Sequence, residues 1–167
     1  TPTKSYRLNE NIAITGKATA YAGNAIDNAQ VKFKVHRQAR MLHPILLPGG
    51  RGIWPPSYNA GNTQITNGQT LTKTDGSFTI DFVALPDAAI SEQWLPTFEY
   101  VIKATVIDVN GESHESTFTV NAGYRSLQLS LSKTLAAGQA ANSSHQFAIG
   151  TSNMMGQPVA AMVTWKL

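Results

Sequence analysis

Apolar residues recur along this chain at every second position and rarely at helical spacing, so almost every readable element is a strand. Leu8 to Ala20 holds Ile12 and Ile14, then Gly16, Ala18 and Ala20, two short alternating segments about a glycine. Val31, Phe33 and Val35 alternate with Lys32, Lys34 and His36, the signature of a half-buried strand. Gln69 to Thr74 reads as a short strand, and Thr74-Asp75-Gly76-Ser77 as a hairpin turn that delivers Phe78, Ile80 and Phe82 to one face. Phe98 to Val106 reads as the longest strand, central and largely covered, because Val101 and Ile107 are apolar on its second face. Asn110-Gly111 makes a second hairpin turn into Ser116 to Val120. Helix signal is confined to Pro86 to Trp94, where Asp87 is a cap candidate and a crossover between sheets is expected. Roughly seven strands before residue 123 predict an antiparallel, immunoglobulin- or fibronectin-like β-sandwich.

Two stretches depart from that rhythm. Gln38 to Asn67 carries Pro44, Pro48, Pro55 and Pro56 among glycines, around Trp54 and Tyr58, and reads as a long insertion without periodicity. After Gly123 the pattern restarts: Leu127, Leu129 and Leu131 form one strand, Gly138 to Ser144 a loop of small residues, Phe147 and Ile149 a second strand, and Met162 to Leu167 a third. The last of these repeats an earlier phrase. Gly156 to Leu167 matches Gly23 to Val35 almost position for position, one residue shorter, each running from a turn into an alternating strand. The expected organisation is therefore a β-sandwich domain at residues 1–123, with its insertion at 38–67, and the opening strands of a second, incomplete module at 124–167. Three strands cannot enclose their own leucines. The second unit is expected to lean on the first or to self-associate.

Composition changes the picture in a few places. Hydrophobic residues make up 42% of the chain, enough for a core, while charged residues make up 14%, against about 25% in ordinary domains. Thr, Ser, Asn, Gln and Gly cover the surface instead, a mix common in secreted and cell-surface β proteins. The net charge of +3 rests on 13 Lys and Arg spread along the chain. The densest group, His36, Arg37, Arg40, His43 and Arg51, is broken by apolar residues and reads as a solvated loop, so no nucleic-acid partner is expected. There is no cysteine, hence no disulfide, thiolate metal site or cysteine nucleophile. No apolar run approaches the roughly 20 residues of a membrane helix, and no membrane insertion by this segment is expected.

Candidate chemistry is sparse. His36, His43, His114 and His145 lack metal-ligand spacing and read as surface histidines. Asp75 and Asp108 have turn duties; Asp81, Asp87, Glu92, Glu99, Glu112 and Glu115 show no paired motif. Neither a Gly-x-Ser-x-Gly elbow nor a series of calcium ligands is present, and Gly49-Gly50-Arg51-Gly52 lacks the Lys-Ser and helix of a phosphate loop. No catalytic, cofactor-binding or metal residue is nominated, and no enzyme activity is expected. The residues nominated for partner binding are Arg51, Trp54 and Tyr58, since aromatics flanked by prolines dock peptide or glycan.

The order Thr15-Gly16-Lys17-Ala18, then Gly23 to Val35, then Thr72 to Phe82, closing with Val106 to Glu112, resembles the macroglobulin-type sandwich domains of bacterial alpha-macroglobulin-like proteins, especially the large Bacteroidetes forms. Val120 to Leu129 looks like the passage from one such domain to the next. The resemblance covers most of residues 8–131. It implies a structural, non-catalytic part of a large secreted or cell-envelope protease inhibitor, in which sandwich domains frame a bait segment and close around an attacking protease. Its partners would be neighbouring domains of the same polypeptide, and proteases through the whole protein. The Cys-x-x-Gln thioester of some members has no counterpart in a chain without cysteine. The alternative reading is an adhesin-like, carbohydrate- or peptide-binding sandwich that uses the Trp54 loop.

Overall fold

A strand pattern becomes a strand where a neighbour is available to hydrogen-bond, and the computed structural model shows which neighbours were chosen. It describes residues 6–41, 45–46, 52–53, 61–108, 110–133, 147–154 and 156–165. The strands are β1 (Tyr6–Arg7), β2 (Asn11–Lys17), β3 (Gln30–Met41), β4 (Ile45–Leu46), β5 (Gly52–Ile53), β6 (Thr63–Leu71), β7 (Ser77–Val83), β8 (Thr97–Ile107), β9 (Ser113–Gly123), β10 (Leu127–Lys133) and β11 (Phe147–Asn153). One 3₁₀ turn, Glu92–Trp94, interrupts them. The described residues are all-β, as the periodicity predicts.

The principal sheet has the order β1-β9-β8-β3-β6, and β2 pairs with β7 in a separate two-stranded layer. Among the described strands every pairing is antiparallel except β1 with β9, which runs parallel, Tyr6 opposite Ala122. That pair departs from the wholly antiparallel expectation; a two-residue edge strand is too short to need a hairpin. Between the layers lies one core, with Ile12, Ile80 and Phe82 from one side and Val31, Val35, Phe98, Tyr100, Ile102 and Val120 from the other. The rings of Phe82 and Tyr100 meet across it at 5.8 Å between centroids. Burial of this kind supplies most of the driving force, at about 25 cal/mol per Å² of apolar surface.

Several strand limits differ from the sequence reading. At 12 residues β3 is longer than the 11-residue β8, and it reaches Met41. Because β6 starts at Thr63, both ends of the segment expected to be aperiodic, 38–67, are strand. The reason is ladder pairing: Gln38 and Ala39 face Glu99 and Phe98, and Gln64 faces His36, whatever their local pattern. β8 is the middle strand of its sheet, but only one face is covered, and Lys103 on the other is exposed. The Asp75-Gly76 turn is no hairpin within a sheet. It carries the chain from β6 in one layer to β7 in the other, a corner held by Lys73 N–H to Ser77 O at 2.8 Å.

The repeated phrase in the sequence is also a repeat in space. Gly23 and Gly156 adopt φ of 88° and 79°. Ala20 N–H donates to Asn24 O and Asn153 N–H to Gln157 O, both at 2.8 Å. Gly23 N–H reaches Ala20 O as Gly156 N–H reaches Asn153 O, and Ile26 N–H reaches Ala18 O as Val159 N–H reaches Thr151 O. The bridges Thr19–Ala25 and Ser152–Pro158 also correspond. The two turns lead into different structures. The first opens into β3, paired on both sides, whereas residues 159–165 beyond the second are not strand. The third strand expected at Met162 to Leu167 is thus absent over 162–165, where no ladder partner lies alongside among the described residues. The expected loop at 138–144 and residues 166–167 lie outside the described residues.

Candidate functional site

Arg51, Trp54 and Tyr58, the nominated partner-binding residues, lie outside the described residues, as do His43 and His145. The rest of the basic group is not a loop. His36, Arg37 and Arg40 belong to β3, and strand alternation sends them to different faces. Arg37 points inward, where its guanidinium spans a crossover. It donates to the carbonyls of Leu85 and Pro86, pairs with Asp87 Oδ2 at 2.8 Å, and lies 5.8 Å from the Phe98 ring centroid. Tyr100 adds an O–H donated to Leu85 O at 3.0 Å, and burial pushes the pKa of that phenol up. Two side chains of the principal sheet thereby fix the passage from β7 to β8. Asp87 does not cap the 3₁₀ turn as expected. It accepts from Ala89 N–H, while Ser91 accepts from Gln93 N–H at the turn itself. Arg40 faces outward and makes a bidentate pair with Glu99, both bonds 2.8 Å, which raises the pKa of its guanidinium.

The carboxylates are largely engaged in local structure. Asp75 accepts from Ser77 N–H, and Asp108 accepts from the N–H groups of Asn110 and Glu112 at 2.8 and 2.9 Å. Bonds from Ser77 hold the first carboxyl below its usual range, and those from Glu112 and Asn110 hold the second. His114 lies 3.2 Å from Glu112. Among the described residues, no three His, Cys, Asp or Glu side chains gather as a metal site would require. Four clefts on the described surface have a single carboxylate among their lining residues, Glu115.

Two surfaces remain that are built by pairing rather than by motif. The first is the outer face of the principal sheet. Register places Lys34 opposite Lys103, Lys32 opposite Thr105, and Gln69, Asn67 and Gln64 opposite Lys32, Lys34 and His36. These side chains line a shallow concavity of about 700 Å³, with Glu115 at one side. Sequence alternation identifies Lys32, Lys34 and His36 as the polar face of β3, but Lys103 belongs to a strand 69 positions away. Only register brings it there. The second is the β10–β11 ribbon, whose pairing puts Leu127, Leu129, Leu131, Ile149 and Phe147 on one face, all exposed. Met154 ties this ribbon to the principal sheet: its Cε occupies the space a Cβ on Gly123 would fill, and Gln128 Nε2 lies 3.3 Å from its sulfur.

No family model matches this sequence, and no curated protein does. Among solved structures, the fold is similar to part of the native conformation of E. coli alpha-2-macroglobulin, determined by cryo-EM, with a TM-score of 0.57 at 9% sequence identity. The similarity takes in 93% of this chain and only 10% of that one. The fold is macroglobulin-like.

Proposed function

We propose that this chain is a non-catalytic framework segment of a large alpha-macroglobulin-like protease inhibitor, secreted or held in the cell envelope, of the kind found in Bacteroidetes. The observation that carries the reading is the likeness of nearly the whole chain to a small share of E. coli alpha-2-macroglobulin. The sequence phrases resembling macroglobulin domains are independent of it. On this reading residues 1–123 form one sandwich of seven strands, the five of the principal sheet with β2 and β7, and residues 124–167 belong to a second module of the same kind. The matched turns at Gly23 and Gly156 support that division. Its partners are the adjoining domains of one polypeptide. Contacts between such domains bury modest, mixed surfaces and let domains move when a bait is cut. Proteases are met by the whole protein.

The experiment uses the full-length polypeptide that contains this chain, mixed with a panel of endopeptidases. The expected result is bait cleavage with retention of the protease in a complex that hydrolyses small peptides but spares casein. Failure to retain any protease, with casein hydrolysis unchanged, overturns the inhibitor reading.

A further inference from the structure

We infer that the concave outer face of the principal sheet is a binding site for an acidic polysaccharide, a sugar chain carrying carboxylate or sulfate groups. Four observations meet there. Lys34 and Lys103 are directly opposed in a ladder, where side chains start roughly 5 Å apart and like charges destabilise the sheet. Lys32 is the next outward residue on the same strand, about 7 Å along. None of the three ammonium groups has an ion-pair partner among the described residues, whereas the neighbouring Arg37 and Arg40 of the same strand do. Finally, His36 also lines this face, and its Nδ1 is buried without a hydrogen-bond partner, a cost the sheet carries at this place.

The lining selects among anions. Around the lysines stand Gln64, Asn67, Gln69 and Thr105, amides and a hydroxyl suited to sugar hydroxyls as well as to acidic groups. Glu115 offsets one of the three lysine charges, and the lysines stay in excess. A protein partner is disfavoured because interface cores are depleted in lysine and centre on apolar or aromatic anchors. Here Phe33 is the one Phe, Tyr or Trp among the described lining residues, and it lies across Gly68. Nucleic acid is disfavoured because strong backbone binding requires many neutralised phosphates, and base contact requires stacking platforms. A sugar chain with spaced charges and many hydroxyls fits this shallow, polar face. Such a site could serve the chain whether or not its parent traps proteases.

Calorimetry of the whole chain with heparin, polygalacturonate, neutral dextran, poly-glutamate and a short DNA duplex tests it. Heparin or polygalacturonate should bind and dextran should not, with a log–log salt slope no steeper than about −3, as three cations allow. The double variant Lys34→Gln/Lys103→Gln should weaken binding at least about tenfold, while Lys17→Gln and Lys73→Gln, outside the groove, leave it within about twofold. Glu115→Gln should strengthen binding, a gain that misfolding cannot imitate. The proposal is overturned if neither acidic polysaccharide binds, if the control variants lose as much as the double variant, if Glu115→Gln brings no gain, or if DNA or poly-glutamate binds more tightly.

Discussion

Two phenylalanine rings in this fold each lie over a glycine on the facing strand. A Cβ added to Gly16 would come within 2.3 Å of the Phe78 ring, and one added to Gly68 within 2.7 Å of Phe33. Register makes both contacts direct cross-strand pairs. A glycine inside a strand ordinarily weakens it, and a facing ring restores the lost packing. Gly16→Ala should therefore cost about 1–3 kcal/mol, the range for overpacking. Urea titration of the variant measures this, and adding Phe78→Leu should recover part of the loss. The charged residue with the clearest pH signature is Asp108. Bonds from Glu112 N–H and then Asn110 hold its folded pKa below the ordinary 3.8. The group therefore contributes stability above that value and loses the contribution as pH falls through the folded pKa. Asp108→Asn should melt lower than the natural chain at pH 7, and thermal scans at successively lower pH should see the two curves converge below about pH 3.8. A gap that persists in acid would assign the difference to shape and not to charge.

At the scale of elements, the strands divide by what covers them. β3 and β8 are flanked on both sides by ladder partners and bury Val31, Val35, Phe98, Tyr100 and Ile102 almost completely. Among the described strands β10 and β11 form a ladder only with each other, and a two-stranded ribbon is marginal in water. Leu129 and Leu131 remain 62% and 65% exposed. Amide hydrogen exchange should accordingly be at least about tenfold faster in β10–β11 than in the paired positions of β3 and β8, a difference of roughly 1.4 kcal/mol in opening free energy. Equal protection in both would mean that the ribbon is covered in solution. Elements are also where sequence and structure part most often. The Gly156 turn was legible because three hydrogen bonds and a left-handed glycine are local. The strand expected after it was not formed over 162–165, because alternation specifies a face and not a neighbour.

For the whole molecule, the distribution of uncovered apolar surface matters most. Beside the ribbon's leucines, Met162 and Trp165 are 98% and 68% exposed, far from the buried state of Val31 in the corresponding earlier phrase. Exposed apolar patches of this kind mark interaction surfaces. Sedimentation velocity of the 167-residue chain should show concentration-dependent association, and Leu129→Lys/Leu131→Lys should shift it toward monomer without changing the melting of the principal sheet. A monodisperse monomer at high concentration would contradict this. The same surface is available to adjoining domains in the framework reading. Association in isolation and docking within a longer polypeptide would draw on one hydrophobic driving force.

What the amino-acid order determined alone is everything that depends on near neighbours: strand-forming segments, the Asp75-Gly76 and Asn110-Gly111 turns, the carboxylates that brace them, and the repeated phrase at Gly23 and Gly156. Alternation and positive φ act over two to four residues, so they are written locally. Tertiary structure decided the rest. It made the Asp75-Gly76 turn a corner between layers, extended β3 and β6 into a proline-rich insertion, turned Arg37 inward onto a crossover, and set Lys34 against Lys103. Those outcomes join residues dozens of positions apart. They depend on which ladders close the core while leaving fewest backbone groups unpaired, a comparison among whole arrangements that no single segment encodes.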